Sequence, residues 1–265
     1  MTVIMGILNI TADSFSDGGS YLDAEAALAH GLALRDAGAG IVDVGGESTR
    51  PGATRVPGEV ERARVLPVVE ALAATGVAVS IDTMNAATAV AAVAAGATIV
   101  NDVSGGLADG DMLAAVAASG ADLVIGHWRG HSADMYAGAR YDDPVVDVLR
   151  ELEERVGAAA HAGIDPSRIV LDPGIGFGKL AAQNWQLLRH LDRLVAVGRP
   201  VLVGTSRKGF LRDALGEDPA QERRDAATAV TSVLAAEAGA WGVRVHDVAA
   251  TRDALAVRRH WRGES

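Results

Sequence analysis

The chain has 265 residues, 49% hydrophobic and 22% charged, so it can bury a sizeable core and does not belong to the disordered class. Its net charge of −10, with no block of consecutive basic residues, argues against nucleic acid or an anionic membrane as partner and favours a small molecule. Because there is no cysteine, disulfides, thiolate metal sites and catalysis by a thiol are excluded.

The N-terminal apolar run, residues 3–8, is too short to span a bilayer, and it lacks the basic start and the cleavage site of a signal peptide. We therefore expect a cytoplasmic protein. Further along the chain, short runs rich in Val and Ile recur, each followed by a Gly/Asp/Ser/Thr-containing stretch and an Ala-rich segment. The predicted strands are 3–10, 40–44, 77–82, 98–103, 122–127, 169–172, 201–205 and 242–247.

Helical segments alternate with these strands. The predicted helices are 23–37, 58–74, 86–95, 111–118, 144–162, 181–197, 224–238 and 251–261. Many of them end at a glycine, which can adopt the left-handed conformation that terminates a helix. The strands are nearly continuous apolar runs, as expected for a parallel sheet covered by helices. Eight such units predict a single-domain α/β fold, a (βα)8 TIM barrel over residues 1–265.

The alternative is an open, doubly wound sheet, which usually has a glycine-rich dinucleotide turn after its first strand. That turn is absent, because the first strand continues into Asn9-Ile10-Thr11. Residues 174–179 (GIGFGK) resemble a phosphate-binding loop, but Pro173 replaces the first glycine of that motif and Leu180 replaces its Ser or Thr. A nucleoside triphosphate site is therefore rejected.

Polar side chains follow the predicted strands at the ends that would form the functional rim of a barrel. They are Asn9, residues 47–50, Asp82, Asn101, Asp102, His127, Asp172, residues 206–208, Arg244, His246 and Asp247. A charged group directly after an apolar strand is costly unless it is paired or liganded, and its recurrence at so many strand ends indicates an active site.

Two chemical groups can be distinguished on this rim. Asp82, Asn101 and Asp172 offer acceptors suited to the amino-pyrimidinone edge of a pterin or guanine-like ring. The other group is cationic and suits phosphate or carboxylate oxygens. Its members are Arg50, Lys208, Arg244 and His246. The long loops 11–20 and 45–58, rich in Gly, Ser and Thr, are interpreted as mobile covers.

Several motifs resemble those of the dihydropteroate synthase family of pterin-binding barrels. They are residues 5–11 (MGILNIT), 13–19 (DSFSDGG), 43–52 (DVGGESTRPG), 81–83 (IDT), 101–106 (NDVSGG), 172–177 (DPGIGF), 206–208 (SRK) and 244–248 (RVHDV). The resemblance implies an Mg²⁺-dependent transferase that joins 6-hydroxymethyl-7,8-dihydropterin pyrophosphate to p-aminobenzoate, giving 7,8-dihydropteroate and pyrophosphate in folate synthesis. It also implies a homodimer.

The resemblance assigns roles to individual residues. It implies that the pterin is held by Asp82, Asn101, Asp172 and Lys208, with Phe177 and the backbone near Gly204. Asn9 resembles the residue next to Mg²⁺, and Arg244 and His246 resemble the pyrophosphate-binding pair. The residues expected to meet p-aminobenzoate or close over the pyrophosphate are Thr49, Arg50, Pro51, Phe15 and Asp17. Arg50, Lys208 and Asp17 are the predicted catalytic residues.

Two positions depart from the family pattern. Gly126 stands where the family usually has Met against the pterin ring, which implies a wall that is roomier or filled differently. Gly209 follows Lys208 where many relatives have Ser or Arg, so a backbone N–H at a helix start would have to replace a side-chain contact to the aminobenzoate carboxylate. The alternatives are a pterin-binding methyltransferase and a non-catalytic pterin-binding paralogue. The methyltransferase would not need the cationic groups for pyrophosphate, and the paralogue would have lost loop or cationic residues, which are all present in this sequence.

Overall fold

The computed structural model describes residues 2–10, 20–48, 52, 55–131, 136 and 138–264. In the range 20–48, side chains are described from residue 24 onward. Eight strands form one parallel sheet in the order β6-β5-β4-β3-β2-β1-β8-β7. They are β1 Val3–Asn9, β2 Ile41–Gly45, β3 Val79–Asp82, β4 Ile99–Asp102, β5 Asp122–Gly126, β6 Ile169–Asp172, β7 Leu202–Val203 and β8 Gly242–Val245. A parallel bridge between Leu171 and Val201 joins the two end strands, so the prediction of a (βα)8 barrel is confirmed.

The helices alternate with the strands and cover the outside of the barrel. They are α1 Ser20–Ala37, α2 Gly58–Ala74, α3 Ala86–Ala94, α4 Met112–Ser119, α5 Pro144–His161, α6 Ala181–Arg189, α7 Leu191–Val195, α8 Arg212–Leu215, α9 Gln221–Glu237 and α10 Val248–Arg262. Single 3-10 turns occupy Pro166–Arg168 and Gly209–Leu211. Within the described part of the chain, no helix is both long enough and apolar enough to cross a bilayer.

The prediction of one helix over 181–197 was wrong. Two helices occupy this segment, and His190, with φ −116° and ψ 28°, lies between them. Leu187, Leu191 and Leu194 are all buried against the barrel. Their spacing of four and three residues is also that of one continuous helix, so the apolar pattern could not reveal the break. The short helix α8 was not predicted either.

Side-chain alternation along the strands explains how this barrel positions its polar groups. Six buried apolar residues form a cluster separate from the core between sheet and helices, and we assign them to the barrel interior. They are Met5, Ile41, Ile99, Val124, Val170 and Leu202. Since alternate residues of a strand face the same side, the residue two positions later also points inward, closer to the carboxyl end. Those next inward positions include Asp43, Asn101 and Asp172, so an apolar floor lies beneath a polar layer.

Candidate active site

The described members of the predicted rim lie together at the carboxyl ends of the strands. Asn9, Asp82 and Asp172 are the last residues of β1, β3 and β6, and Asn101 lies in β4. Lys208 follows β7, Arg244 lies in β8, and His246 comes directly after it. This is the face on which the enzymes that share this fold bind their substrates.

An ionic cluster lies at the centre of the barrel mouth. The Nε of Arg244 donates to Asp43 Oδ2 at 2.6 Å, and the Nη2 of the same side chain donates to Asp82 Oδ2 at 2.7 Å. Asn101 Nδ2 donates to the same Asp43 oxygen at 3.0 Å. This contact uses the amide nitrogen of Asn101, so its oxygen is the acceptor that Asn101 can offer to a ligand. One guanidinium therefore links β2, β3 and β8 beneath the opening.

Burial and pairing act in opposite directions on these charges. Burial raises the pKa of Asp82 above its ordinary value, while the guanidinium of Arg244 pulls it down. Burial alone would lower the pKa of Arg244, but Asp43 and Asp82 together raise it, so this residue remains cationic. Arg244 therefore stays charged over the whole physiological pH range.

Asp43 is a residue of this cluster to which the sequence analysis assigned no role. Its side chain is fully buried, and its second oxygen, Oδ1, has no hydrogen-bond partner. The signal in the sequence is a carboxylate inside the apolar strand Ile41-Val42-Asp43-Val44, where an unpaired charge would be strongly unfavourable. Such a residue predicts a buried cation elsewhere in the chain, but only the fold identifies it as Arg244.

Lys208 enters the same mouth from β7. Its ammonium donates to the carbonyl of Ile175 and lies 4.3 Å from the centre of the Phe177 ring. Burial lowers the pKa of Lys208 to about 8, although the Asp172 carboxylate acts in the opposite direction. Gly176 has φ +82°, and a Cβ at this position would lie 2.6 Å from Lys208 Cδ, so only glycine lets the lysine stem pass.

Gly204 marks the place where the two cations meet. A Cβ built on Gly204 would lie 3.8 Å from Lys208 Nζ and 3.7 Å from Arg244 Cβ. On the neighbouring strand, Asp172 Oδ1 accepts a 2.7 Å hydrogen bond from the N–H of Gly174. The structure therefore brings Asp82, Asn101, Asp172, Lys208 and Arg244 to one opening, with the acceptors on β3, β4 and β6 and the two cations on the neighbouring β7 and β8 side.

The space beside Gly126 is filled by backbone. A Cβ at this position would lie 2.5 Å from the carbonyl oxygen of Val103 and 2.6 Å from its Cα. Of the two possibilities left by the sequence, a roomier wall or a differently filled one, the structure has the second. The loop after β4 lies against β5 at the position where a larger side chain would otherwise stand.

The residues that follow β7 do not act as one cationic group. Arg207, with φ +57°, turns away from the opening, and its guanidinium binds both oxygens of Asp225 in α9 at 2.7 and 2.9 Å. Arg207, which belongs to the polar range 206–208 of the predicted rim, therefore pairs with the outer helix α9 instead of facing the opening. Ser206 Oγ lies 2.8 Å from His246 Nδ1 and accepts from the His246 backbone N–H at 3.1 Å, so these two residues orient each other.

Asn9 is the predicted neighbour of the metal. Its amide oxygen and Asp82 Oδ2 both lie 3.6 Å from the point where a Cβ on Gly45 would stand, so both oxygens face one side of that glycine. Among the described residues, no group of three or more His, Cys, Asp or Glu side chains forms a metal site. The predicted residues Phe15, Asp17, Thr49, Arg50 and Pro51 lie outside the part of the chain that the structure describes.

Glu61 supports the end of β3 from an outer helix, and the sequence analysis missed it. This helix α2 residue is almost completely buried, and it accepts hydrogen bonds from Thr83 Oγ1 at 2.7 Å and Thr88 Oγ1 at 2.8 Å. Thr83 directly follows Asp82, so Glu61 holds the end of β3 in place. Burial raises the pKa of Glu61. A lone glutamate in a helix is usually exposed, so composition offered no signal for this role.

Comparison with known proteins agrees with this geometry. A family model described as "Pterin binding enzyme" matches residues 5–246. The dihydropteroate synthase of Mycobacterium leprae is 53% identical over 263 residues, covering 97% of this chain and 93% of that protein. A solved structure of Xanthomonas albilineans dihydropteroate synthase with 4-aminobenzoic acid superimposes with a TM-score of 0.91 at 48% identity, covering 98% and 93% of the two chains.

Another structure of the Xanthomonas albilineans protein, in complex with 7,8-dihydropteroate, gives a TM-score of 0.88 at 45% identity and covers 98% of this chain and 94% of that one. These matches extend over nearly the whole barrel and include all the strands that carry the cluster described above. The expected resemblance is therefore confirmed, and the chain belongs to the pterin-binding enzyme family, among the dihydropteroate synthases.

Proposed function

We propose that this chain is a transferase that condenses 6-hydroxymethyl-7,8-dihydropterin pyrophosphate with p-aminobenzoate, forming 7,8-dihydropteroate and releasing pyrophosphate. The observation that carries this proposal is the meeting of Asp82, Asp172, Lys208 and Arg244 at one opening of the barrel, with an ion pair of 2.7 Å between Asp82 and Arg244. The relatives named for this reaction, one of them solved with 7,8-dihydropteroate, support it.

The site has acceptors for the heterocycle and cations for its tail. The ring N–H and exocyclic amine of a pterin are donors, and the oxygens of Asp82, Asn101 and Asp172 are suited to accept from them. Lys208 and Arg244 supply positive charge beside these acceptors. The substrate that fits such an arrangement has a donor-rich ring at one end and an anionic group at the other, as a dihydropterin pyrophosphate does.

The reaction requires no nucleophile from the protein. The amine nitrogen of p-aminobenzoate forms a bond to the pterin methylene carbon, while the bond from that carbon to the pyrophosphate oxygen breaks. The leaving group departs with the electron pair, and the new secondary amine releases its proton. The carboxylates Asp82 and Asp172 would stabilise positive character on the pterin, and Arg244 would stabilise negative charge on the leaving group. The other proposed catalytic residues, Arg50 and Asp17, lie outside the residues that the structure describes.

Mg²⁺ is the proposed cofactor, and the donor set around Asn9 fits it. This ion prefers oxygen ligands and is often held by one or two protein oxygens together with substrate phosphates and water. The amide oxygen of Asn9 is such a ligand, and it faces the same side of Gly45 as Asp82. When bound, the ion would neutralise charge on the pyrophosphate. His246, whose orientation is fixed by Ser206, is proposed to contact the same group.

A second copy of this chain is the proposed protein partner. Four large apolar side chains are exposed on the last two helices, Val230 and Leu234 in α9 and Val257 and Trp261 in α10. Each pair is spaced by four residues and so lies on one side of its helix. Glu237 forms ion pairs with Arg258 and Arg262, which joins the ends of the helices that carry Leu234 and Trp261. The cytoplasmic location and the absence of a nucleic-acid partner remain predictions.

The test is to incubate the purified chain with the dihydropterin pyrophosphate, p-aminobenzoate and Mg²⁺, and to measure dihydropteroate and pyrophosphate. We expect the two products in equal amounts. Asp172→Asn removes a charged acceptor of the site and should abolish product, while Asp253→Asn, an exposed carboxylate paired with Arg252, serves as the matched control. Pterin binding without any product would support the non-catalytic alternative and overturn the proposed function.

A further inference from the structure

The chain contains only two lysines, and both bind carbonyl groups of the loop that follows β6. The sequence has 24 Lys and Arg residues, of which Lys179 and Lys208 are the lysines. Lys179 is 1% exposed and is the largest fully buried side chain of the described residues. Burial lowers its pKa to about 7. An ammonium at such a position is costly unless it is fully hydrogen-bonded, so its contacts should indicate its purpose.

The amine of Lys179 has three acceptors around it. Its Nζ lies 2.9 Å from His127 Nδ1, 2.9 Å from the carbonyl oxygen of Gly174 and 3.0 Å from that of Phe177. An ammonium has three N–H donors, and these three acceptors use all of them. The geometry therefore matches the protonated lysine. We propose that Lys179 is a positioning residue that shapes the loop between β6 and α6 and, through it, places Lys208.

The imidazole of His127 anchors this ammonium to the outer helices. Since His127 Nδ1 accepts from Lys179, the proton of the neutral ring is on Nε2, which lies 3.0 Å from Glu151 Oε2 in α5. Burial lowers the pKa of His127 to about 4, so the ring is neutral at physiological pH. Glu151 also accepts from Arg129 Nε at 3.0 Å. Burial alone would raise the pKa of Glu151, but the hydrogen bonds of His127 and Arg129 together lower it to about 2.

The two carbonyls that Lys179 binds lie on either side of the carbonyl that holds Lys208. Gly174 and Phe177 flank Ile175, whose carbonyl oxygen accepts from the Lys208 ammonium. The Phe177 ring also lies against that ammonium. Thus the buried lysine fixes both peptide groups between which the second lysine is bound. A change at Lys179 Nζ would move the acceptor and the ring that define the position of Lys208.

Other side chains hold the same loop from outside, so the loop does not depend on Lys179 alone. Asn184 Oδ1 accepts from the N–H of Gly176 at 2.6 Å, and its Nδ2 donates to the carbonyl of Lys179 at 3.2 Å. Tyr141 donates its hydroxyl to the carbonyl of Gly178 at 2.9 Å. A variant that loses the ammonium therefore keeps several contacts that support the fold of the loop.

The decisive variant is Lys179→Met, which keeps most of the length of the side chain and removes its donors. In protein labelled with ¹⁵N-lysine, this variant leaves Lys208 as the only side-chain amine, so its signal needs no further assignment. We expect the Lys208 titration midpoint to move upward, toward the ordinary value for lysine, because the repelling charge of Lys179 is lost and because a loosened loop exposes the amine to water. The variant Glu151→Gln, which keeps both lysines, isolates the effect of the loop. We expect the KM for the dihydropterin substrate to rise about tenfold, and that for p-aminobenzoate to change less than about twofold.

The matched control is Arg168→Met. Arg168 also donates to backbone carbonyls, those of Val116 and Ala121, but it lies at the opposite end of the barrel, beside the start of β6. It should lower the midpoint of thermal unfolding and leave both the Lys208 signal and the KM values unchanged. If Lys179→Met likewise lowered only the thermal midpoint, Lys179 would be merely structural and the proposal would be overturned.

A second variant tests the same relationship if Lys179→Met does not fold. Glu151→Gln keeps both lysines and weakens the anchor at its outer end. We expect a smaller shift of the Lys208 signal in the same direction, and an unchanged signal in folded Glu151→Gln would overturn the proposal. The kinetic readout rests on the proposed function, whereas the Lys208 titration does not. A wild-type chain without turnover would refute that function, while the titration would still decide the role of Lys179.

Discussion

Arg244 and Asp82 are joined across the barrel mouth by a 2.7 Å ion pair, although 162 positions separate them in the chain. The same guanidinium holds Asp43 by a different nitrogen. Its planar, forked shape allows one cation to bind two carboxylates on different strands. The proposed substrate would bring donors to Asp82 and anionic oxygens toward Arg244, so its two ends would meet charges that are already placed for them.

The first prediction concerns the shape of the cation. Arg244→Lys keeps the positive charge but replaces a fork by a single point of attachment, which cannot hold both Asp43 and Asp82 in the same geometry. We expect kcat/KM to fall on the order of 10²-fold, as is typical when one stabilising donor is lost from an active site. Steady-state kinetics measure this effect. Arg252→Lys, at an exposed pair with Asp253, is the control, and equal activities of the two variants would contradict the prediction.

The second prediction concerns stability. Asp43→Ala leaves Arg244 buried with one carboxylate partner instead of two, and it removes the acceptor of Asn101 Nδ2. We expect the free energy of unfolding to fall by about 3 kcal/mol, because a buried guanidinium loses one of its two charged partners and a buried amide loses its acceptor. Urea denaturation measures this loss. Asp36→Ala, which breaks an exposed pair with Arg35, should change stability by less than about 0.5 kcal/mol.

A feature of the fold or of the site could be predicted from the sequence when it depends on residues that are neighbours in the chain. The alternation of apolar strands with helical segments and the polarity of strand ends are local signals, so the barrel and the rim positions of Asp82, Asp172 and Arg244 could be predicted. Partner choice is not local. That Asp43 binds Arg244, 201 positions away, depends on closure of the barrel. A triphosphate loop at Lys179 could be rejected from the adjacent residues alone. That the Lys179 ammonium is buried against His127, by contrast, could be seen only in the structure.

The third prediction concerns the metal. Because only a few oxygen ligands, Asn9 among them, are proposed for Mg²⁺, the ion should be held weakly by the protein alone and more tightly once pyrophosphate oxygens are present. We expect activity to disappear in excess chelator and to return when Mg²⁺ is added. Isothermal titration with pyrophosphate should show Mg²⁺-dependent binding that Asn9→Ala weakens. Unchanged turnover in chelator would remove the metal from the proposal.

The fourth prediction concerns the second copy. Trp261 is 88% exposed, which is unusual for so large an apolar side chain unless another surface covers it. Trp261→Asp combined with Leu234→Asp should convert a dimer into monomers in sedimentation experiments, because association would then bury two carboxylates. The control is Val90→Asp, at an apolar position on α3 that is 47% exposed. A wild-type chain that sediments as a monomer would refute the proposed homodimer.

The fifth prediction uses Lys208, whose pKa burial lowers to about 8 from the ordinary lysine value of 10.5. Below about pH 8 the amine is charged and suited to an anionic substrate. The KM for the dihydropterin substrate should therefore rise as the pH increases from 7 to 9. The free energy of unfolding, in contrast to substrate affinity, should increase above about pH 8. Since the folded state disfavours the charged amine, its cost to folding is present below pH 8 and disappears as the pH rises from about 8 toward 10.5.

The contribution of Lys208 to the free energy of unfolding should thus grow over the interval in which substrate affinity falls. Comparing wild type with Lys208→Met isolates both effects, since the variant has no amine to titrate at this position. The pH dependence of KM and the stability difference between the two proteins should both change near pH 8. If the KM of the wild type were flat from pH 7 to 9 while its Lys208 signal titrated in that range, Lys208 would not contact the anionic substrate.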